Sequence, residues 1–271
     1  RLSYQGINLS YFSVCGYTAP TYYDKTGLNF LKSFNCGFLT TCGVQSMGSP
    51  SEYEGTEYGL HGTMSHTPAD QVSYDISENG DITVTAKMTD ACIFNQKISL
   101  VRTYHCAYGS NELTIEDTFK NEGSKDEPFL LLYHMNMGYP LLSEKAKLVI
   151  PSTEVYARDD HANAHISEWN KVTAPQHGFT EMCYYHKLSE NCYGIDNPSI
   201  GTGVRISFES DGMLDRLIQW RMLGEGEYVM GLEAASCSLE GRADAVRNGS
   251  QKYLEPEQSF TNSFCISFRN I

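Results

Sequence analysis

The sequence predicts an all-β protein, an antiparallel sandwich or barrel, on three observations. Apolar and polar residues alternate in many short segments, helical periodicity is scarce, and turn-forming residues recur at short intervals. Of the 271 residues, 41% are hydrophobic and 20% are charged, which is close to globular averages, so the chain can bury a core. No repeat or Pro/Gly-rich linker divides the chain, and we therefore expect one β domain over residues 1–271.

Period-two alternation marks the individual strands. In the segment 81–87, Ile82, Val84 and Ala86 share one face and polar residues share the other. The same pattern predicts further strands at 98–104, 113–119, 147–150, 204–209, 217–221, 228–232 and 264–269. Turns rich in Gly, Asn, Asp and Ser separate them, at 78–81, 108–111, 121–124 and 209–212. Helical spacing is clearest at 238–246, so we expect few and short helices.

The charge of the chain excludes two classes of partner. Its formal net charge of −13 argues against nucleic acid and anionic membrane, since both require a basic footprint. The first residues do not form a signal peptide, and the best apolar run, 129–133, is far too short to cross a bilayer.

The nine cysteines include no CxxC pair, so they predict neither a zinc knuckle nor a thioredoxin-type redox pair. We interpret most of them as small buried apolar side chains in a reducing compartment. The expectation is a cytoplasmic protein with no metal and no other cofactor.

Four segments place catalytically capable polar groups beside glycine, proline or aromatic residues. They are the run 36–43 followed by Leu60-His61-Gly62, the run Tyr133-His134-Met135-Asn136 with Gly138 and Pro140, the strand pair 219–221 and 226–234 that contains Trp220 and Glu233, and the turn 253–257.

In this order, from about Gly37 to Phe268, these segments resemble the aldose 1-epimerase (galactose mutarotase) superfamily. The similarity is greatest to its branch of mutarotase-like proteins found in bacterial sugar-use contexts. The resemblance implies a large twisted antiparallel β-sandwich, the galactose mutarotase-like supersandwich, whose concave face holds a monosaccharide. Relatives carry more residues before the position of Arg1, so we expect a leading strand or two to be missing from this sequence.

The resemblance also implies a reaction, the interconversion of sugar anomers by ring opening. A base takes the proton of the C1 hydroxyl while an acid protonates the ring oxygen, and a carboxylate and an imidazole suit these roles. By the family pattern Glu233 is the base and His134 the acid, and His61 binds the sugar or shares the charge. We expect Glu233 and His134 to face each other across a gap as wide as a pyranose.

Further residues are expected to bind the substrate. Asn136 lies two residues beyond His134 and therefore shares its strand face, and Trp220 offers an apolar platform. Arg158, Asp159 and Glu181 stand where the branch carries polar residues. The first two begin the least patterned stretch, 158–177, which we interpret as a long loop outside the sheet.

Each of these residues also has a purely structural interpretation. Glu233 can cap a turn, His61 and His134 can be satisfied core histidines, and Trp220 can be core. His161 and His165 have the i, i+4 spacing of a zinc pair but no accompanying Glu, so two surface histidines are the simpler interpretation. Two rival functions remain open, namely an epimerase or isomerase acting at another carbon and a catalytically silent sugar-binding or sensing module. The sequence does not predict the oligomeric state.

Overall fold

The fold is that of an all-β sandwich built from antiparallel strands. A computed structural model describes residues 1–17, 19, 23–210 and 212–271. In chain order the strands are β1 (Ser3–Tyr4), β2 (Ile7–Asn8), β3 (Tyr11–Phe12), β4 (Cys36–Gly37), β5 (Leu39–Val44), β6 (Ser51–Tyr53), β7 (Thr56–Tyr58), β8 (Ala69–Ile76), β9 (Ile82–Ala91), β10 (Lys97–Cys106), β11 (Glu112–Asn121), β12 (Glu127–Met137), β13 (Lys147–Val149), β14 (Ser152–Ala157), β15 (Met182–Leu188), β16 (Cys192–Asn197), β17 (Thr202–Ser210), β18 (Arg216–Leu223), β19 (Tyr228–Ala235), β20 (Lys252–Leu254) and β21 (Ser259–Asn270).

Two large sheets form the layers of the sandwich. The first has eight strands in the order β13-β16-β17-β21-β11-β10-β9-β8. The second has seven strands, in the order β14-β15-β18-β19-β12-β20, and β5 also pairs with β12. Three two-stranded ribbons, β1-β2, β3-β4 and β6-β7, flank them. The helices of the described residues are short, α1 (Asp160–Ala164), α2 (Arg242–Arg247) and single 3₁₀ turns.

The central strand β12 separates the main core from a second apolar cluster. Its odd-numbered residues from Phe129 to Met137 pack between the two large sheets. Its even-numbered Leu130 and Leu132 belong to the second cluster, on the opposite face, where His134 and Asn136 follow them along the strand. All eleven residues of β12 are buried, so this strand carries polar side chains at full depth.

The strands predicted from alternation are confirmed, because each predicted segment lies largely within an observed strand. The predicted helix at 238–246 is observed as the shorter α2, which begins after Gly241 with its positive φ of 85°. The stretch 158–177 was expected to be a long loop outside the sheet. It contains no strand and lies between β14 and β15, with the short helix α1 near its start. There the Asp159 carboxylate accepts a hydrogen bond from the amide of Ala162 and caps the helix.

The cysteines are all free thiols, but fewer are buried than the sequence predicted. Four of the nine are buried, namely Cys36, Cys42, Cys183 and Cys237, whereas Cys92 is exposed. Within the described residues, no helix is both long and apolar enough to cross a membrane.

Candidate functional site

Six of the eight predicted site residues line one cavity of about 320 Å³ on the outer face of the seven-stranded sheet, namely His61, His134, Arg158, Glu181, Trp220 and Glu233. The volume lies at the lower end of the range for small-molecule sites, about 300–1,000 Å³. Asn136 and Asp159 are not among the lining residues. The sheet therefore brings together residues that are up to about 170 positions apart in the sequence.

His134 and Glu233 form the buried centre of this cavity. They are directly opposite each other in the antiparallel pair β12-β19, and only 4% and 1% of their surfaces are exposed. Nδ1 of His134 lies 3.2 Å from Oε1 of Glu233. Neither atom has a well-aligned hydrogen bond within the described part of the chain, so the two groups touch without satisfying each other.

This contact corrects the expected separation of the two groups. We expected a gap as wide as a pyranose between carboxylate and imidazole, but cross-strand partners have Cβ atoms only about 5 Å apart. A sugar ring cannot lie between them. A molecule that contacts both groups would have to approach from the open side of the cavity.

Gly231 makes room for the Glu233 carboxyl group. A Cβ added at this position would overlap Oε1 of Glu233 and crowd the Cβ of Trp220. Gly231 is the cross-strand neighbour of both Asn136 and Trp220. The glycine therefore lets the carboxyl group lean along β19 towards the cavity, which accounts for the Gly-Leu-Glu pattern of this strand.

His61 reaches the cavity from a tight loop that packs against β5. It has a positive φ of 61°, and its amide donates to the carbonyl of Gly48 while its own carbonyl accepts from the amide of Gly43. A Cβ at the next residue, Gly62, would overlap the carbonyl oxygens of Ser46 and Gly43. The Leu-His-Gly motif thus has a backbone reason, since only glycine permits this close approach.

Trp220 and Glu181 form the opposite wall. The indole Nε1 donates a hydrogen bond of 2.7 Å to the Glu181 carboxylate. The ring meets that of His134 edge to face, with centroids 5.3 Å apart. Arg221, the next residue of β18, points to the other side of the sheet, where its guanidinium donates to the carbonyl of Lys171.

Arg158 lies at the rim of the cavity with its charge already partnered. Its guanidinium donates to Glu240 at 3.0 Å and to the hydroxyl of Ser49 at 2.9 Å. The next residue, Asp159, caps α1 as described above. Asn136 is fully buried beyond His134, and its side-chain amide donates to the His134 carbonyl.

Sequence reasoning missed the residues that complete the walls: Leu28, Leu31, Phe34, Gly48, Ser49, Leu60, Cys183 and Leu239. Most lie in loops without periodicity, so no pattern pointed to them. Cys183 had a usable signal, because strand alternation from β15 places it beside its partner Trp220.

Burial dominates the electrostatics of the central pair. Desolvation, followed by the nearby Glu181 charge, raises the pKa of Glu233 well above its usual range. Desolvation, followed by His61, holds the pKa of His134 well below its ordinary value. Desolvation and Arg158 lower the pKa of His61 to about 4. Burial therefore favours the uncharged form of each of the three groups.

No group of three or more His, Cys, Asp or Glu side chains arranged to hold a metal ion is found among the described residues. The rings of His161 and His165 lie 5.3 Å apart at the end of α1, away from the cavity lining.

The sandwich and the cavity on its sheet define a fold that a solved galactose mutarotase-like protein shares. The chain belongs to the family described as Domain of unknown function (DUF4432), whose profile matches residues 1–268. A search of curated proteins finds no match.

Solved structures share the fold at low sequence identity. A candidate aldose 1-epimerase from Klebsiella pneumoniae superposes with a TM-score of 0.90 at 22% identity, over 98% of this chain and 72% of that one. A galactose mutarotase-like protein from Clostridium acetobutylicum superposes with a TM-score of 0.64 at 14% identity, over 87% of this chain and 80% of that one. A candidate mutarotase from Salmonella typhimurium superposes with a TM-score of 0.63 at 11% identity, over 98% of this chain and 80% of that one.

Proposed function

We propose that this protein interconverts the anomers of a free monosaccharide, as an aldose 1-epimerase-like isomerase. The observation that carries the proposal is the buried, unsatisfied contact between His134 and Glu233 at the centre of a sugar-sized cavity. A buried carboxyl group without a good hydrogen bond is costly, and such groups concentrate at functional sites.

The contact suits the two proton transfers of ring opening. The C1 hydroxyl oxygen and the ring oxygen are both bonded to C1, so two protein groups in contact can reach both. Glu233 takes the hydroxyl proton and His134 delivers a proton to the ring oxygen. Rotation about the opened C1–C2 bond and the reverse transfers then close the ring as the other anomer.

The proton count of the pair is compatible with these roles. A neutral carboxyl group beside a neutral imidazole holds the same number of protons as a carboxylate beside an imidazolium. Moving one proton across the 3.2 Å between Oε1 and Nδ1 converts the first form into the second. The resting pair can therefore become a base and an acid without taking a proton from solvent.

The other cavity residues have supporting roles in the proposal. His61 binds a sugar oxygen near the pair, and Trp220, oriented by Glu181, supports an apolar face of the ring. Arg158 shapes the rim. Asn136 and Asp159 act indirectly, since Asn136 holds the β12 backbone at His134 and Asp159 caps the helix that follows Arg158. The free thiols of all nine cysteines support a cytoplasmic location.

The test is anomer exchange measured by NMR saturation transfer on a panel of aldoses, 6-deoxy sugars, ketoses and uronic acids. The wild type should accelerate exchange of at least one sugar, and Glu233→Gln should reduce that acceleration about a hundred- to a thousandfold. The variant His134→Gln, which removes the titratable imidazole, should reduce the acceleration by a similar factor. A sugar that binds without faster exchange would identify a binding module. Exchange of a carbon-bound proton with solvent, which anomer exchange does not involve, would identify a different isomerase.

A further inference from the structure

The cavity has a polar end and an apolar end, on opposite sides of the central pair. The order β15-β18-β19-β12, with β5 on the far side of β12, runs across its floor. Glu181 and Trp220 lie at the β15-β18 side. His61 packs against β5 on the other side, and the rings of Phe30 and Phe34 pack around it.

The apolar end presents leucines to the cavity. Leu28, Leu31 and Leu60 line it beside Phe34, and the first two are 60% and 52% exposed. These leucines have no polar group that could bind a sugar hydroxyl. A hydroxyl placed against them would lose water without gaining a hydrogen bond, whereas a methyl group would be buried favourably.

The leucines lie on an anchored segment. The 3₁₀ turn Asn29–Lys32 carries Leu31, and its Phe30 is only 1% exposed. The Phe30 ring packs edge to face against His61, with centroids 5.2 Å apart, and in a tilted arrangement against Phe34, with centroids 4.8 Å apart. Phe30 thus anchors the turn that carries Leu31. Leu28, Leu31 and Leu60, here called the leucine wall, are held at a set distance from His134 and Glu233, which is the arrangement expected of residues that select the substrate.

We propose that the substrate is an aldose in which a methyl group replaces the exocyclic hydroxymethyl group, that is, a 6-deoxy sugar. The inference rests on the proposed function and adds the orientation of the sugar. Ring hydroxyls face Glu181 and Arg158, C1 lies over His134 and Glu233, and the methyl group contacts Leu28 and Leu31. One hydroxyl against a hydrophobic wall changes kcat/KM by about tenfold or more.

Matched sugar pairs test this orientation directly. Anomer exchange is measured for galactose, mannose and glucose, each against its 6-deoxy form, and binding of all six is followed by saturation-transfer difference spectra. For the ring configuration that the enzyme accepts, kcat/KM should be about tenfold higher for the 6-deoxy sugar. Leu31→Asn should bring that ratio close to one. The control Ile93→Asn, at a side chain 80% exposed in the β9-β10 turn, should leave the ratio unchanged.

The outcomes separate the two proposals. Exchange accelerated equally for both members of each pair, or faster for the parent sugar, overturns the leucine wall and leaves the isomerase intact. A preference that survives Leu31→Asn also overturns the wall. If no sugar exchanges faster but 6-deoxy sugars bind more tightly than their parents, the isomerase is wrong and the leucine wall stands.

Discussion

Two buried acid–base pairs lie on opposite faces of β12, and they differ in how well their hydrogen bonds are satisfied. Between the sheets, Arg102 donates two hydrogen bonds of 2.6 Å to Asp117, and Thr41 and Tyr133 complete the network. One residue further along β12, on the other face, His134 touches Glu233 without a good hydrogen bond.

Under the proposed function, this difference separates a structural pair, Arg102 and Asp117, from a chemical pair, His134 and Glu233. The Asp117 carboxylate accepts three hydrogen bonds from Arg102 and Tyr133, so burying its charge is compensated. Burial of His134 and Glu233 has no such compensation, and both pKa values move towards the uncharged forms. The first pair lies within the eight-stranded sheet and is tied to the other sheet by its hydrogen bonds with Thr41 and Tyr133. The second pair lies beside an open cavity.

Breaking the structural pair should give the largest effect. Asp117→Asn leaves the Arg102 charge buried without a carboxylate, and the free energy of unfolding should fall by about 3–5 kcal/mol in urea titrations. The matched control is Asp196→Asn, which removes a bidentate partner from Arg205 in a partly exposed pair. Its loss should be about 1 kcal/mol or less. Equal losses from both variants would contradict the structural role of the Arg102–Asp117 pair.

Displacing the chemical pair should affect activity more than stability. Gly231→Ala places a methyl group where the Glu233 carboxyl lies, so anomer exchange should fall about ten- to a hundredfold, while the melting temperature changes little. Gly224→Ala is a suitable control because its tightest contact is the flexible end of Met222. Full activity of Gly231→Ala would show that the position of the Glu233 carboxyl is unimportant.

The comparison also shows what could be predicted from the sequence. Alternation predicted which faces of β11 and β21 are buried, because side chains follow the pleat with a period of two. In β9 burial does not alternate, and Ile82 on its predicted apolar face is 46% exposed. The resemblance pointed to Glu233 and His134 as partners. Their contact depends on strand register, which places the two residues opposite each other and which no local pattern encodes.

Other parts of both sites lacked any periodic signal. Arg102 and Asp117 each lie in an alternating strand at positions expected to be apolar, so their pairing needed the three-dimensional arrangement. The leucine wall lies in a 3₁₀ turn and a loop, where side-chain direction does not follow from spacing. Loops that line cavities are therefore where sequence reasoning was weakest.

Uncompensated burial should make the chemical pair costly to stability. The pKa of Glu233 is raised in the folded state, so folding loses stability as pH rises from the ordinary glutamate range towards that raised value. Glu233→Gln should therefore raise the free energy of unfolding at pH 8 by about 0.5–2 kcal/mol. At pH 3, below the ordinary glutamate range, the wild-type carboxyl is protonated in both states and the gain should disappear. A gain of equal size at both values would exclude ionisation as its cause.

The smallest expected effect is a shift in the pH profile of activity. The Glu181 charge helps to raise the pKa of Glu233, so removing it should lower that pKa and move the alkaline limb of kcat/KM to lower pH. Glu181→Gln keeps an oxygen acceptor for the Trp220 indole, so the platform should remain in place. Glu225→Gln, an exposed site beside His177, removes one charge without touching the cavity and should leave the profile unchanged. If Glu181→Gln lowers activity equally at every pH, Glu181 acts only by holding Trp220 or the sugar. A shift of the alkaline limb alone would show that Glu181 also raises the pKa of Glu233.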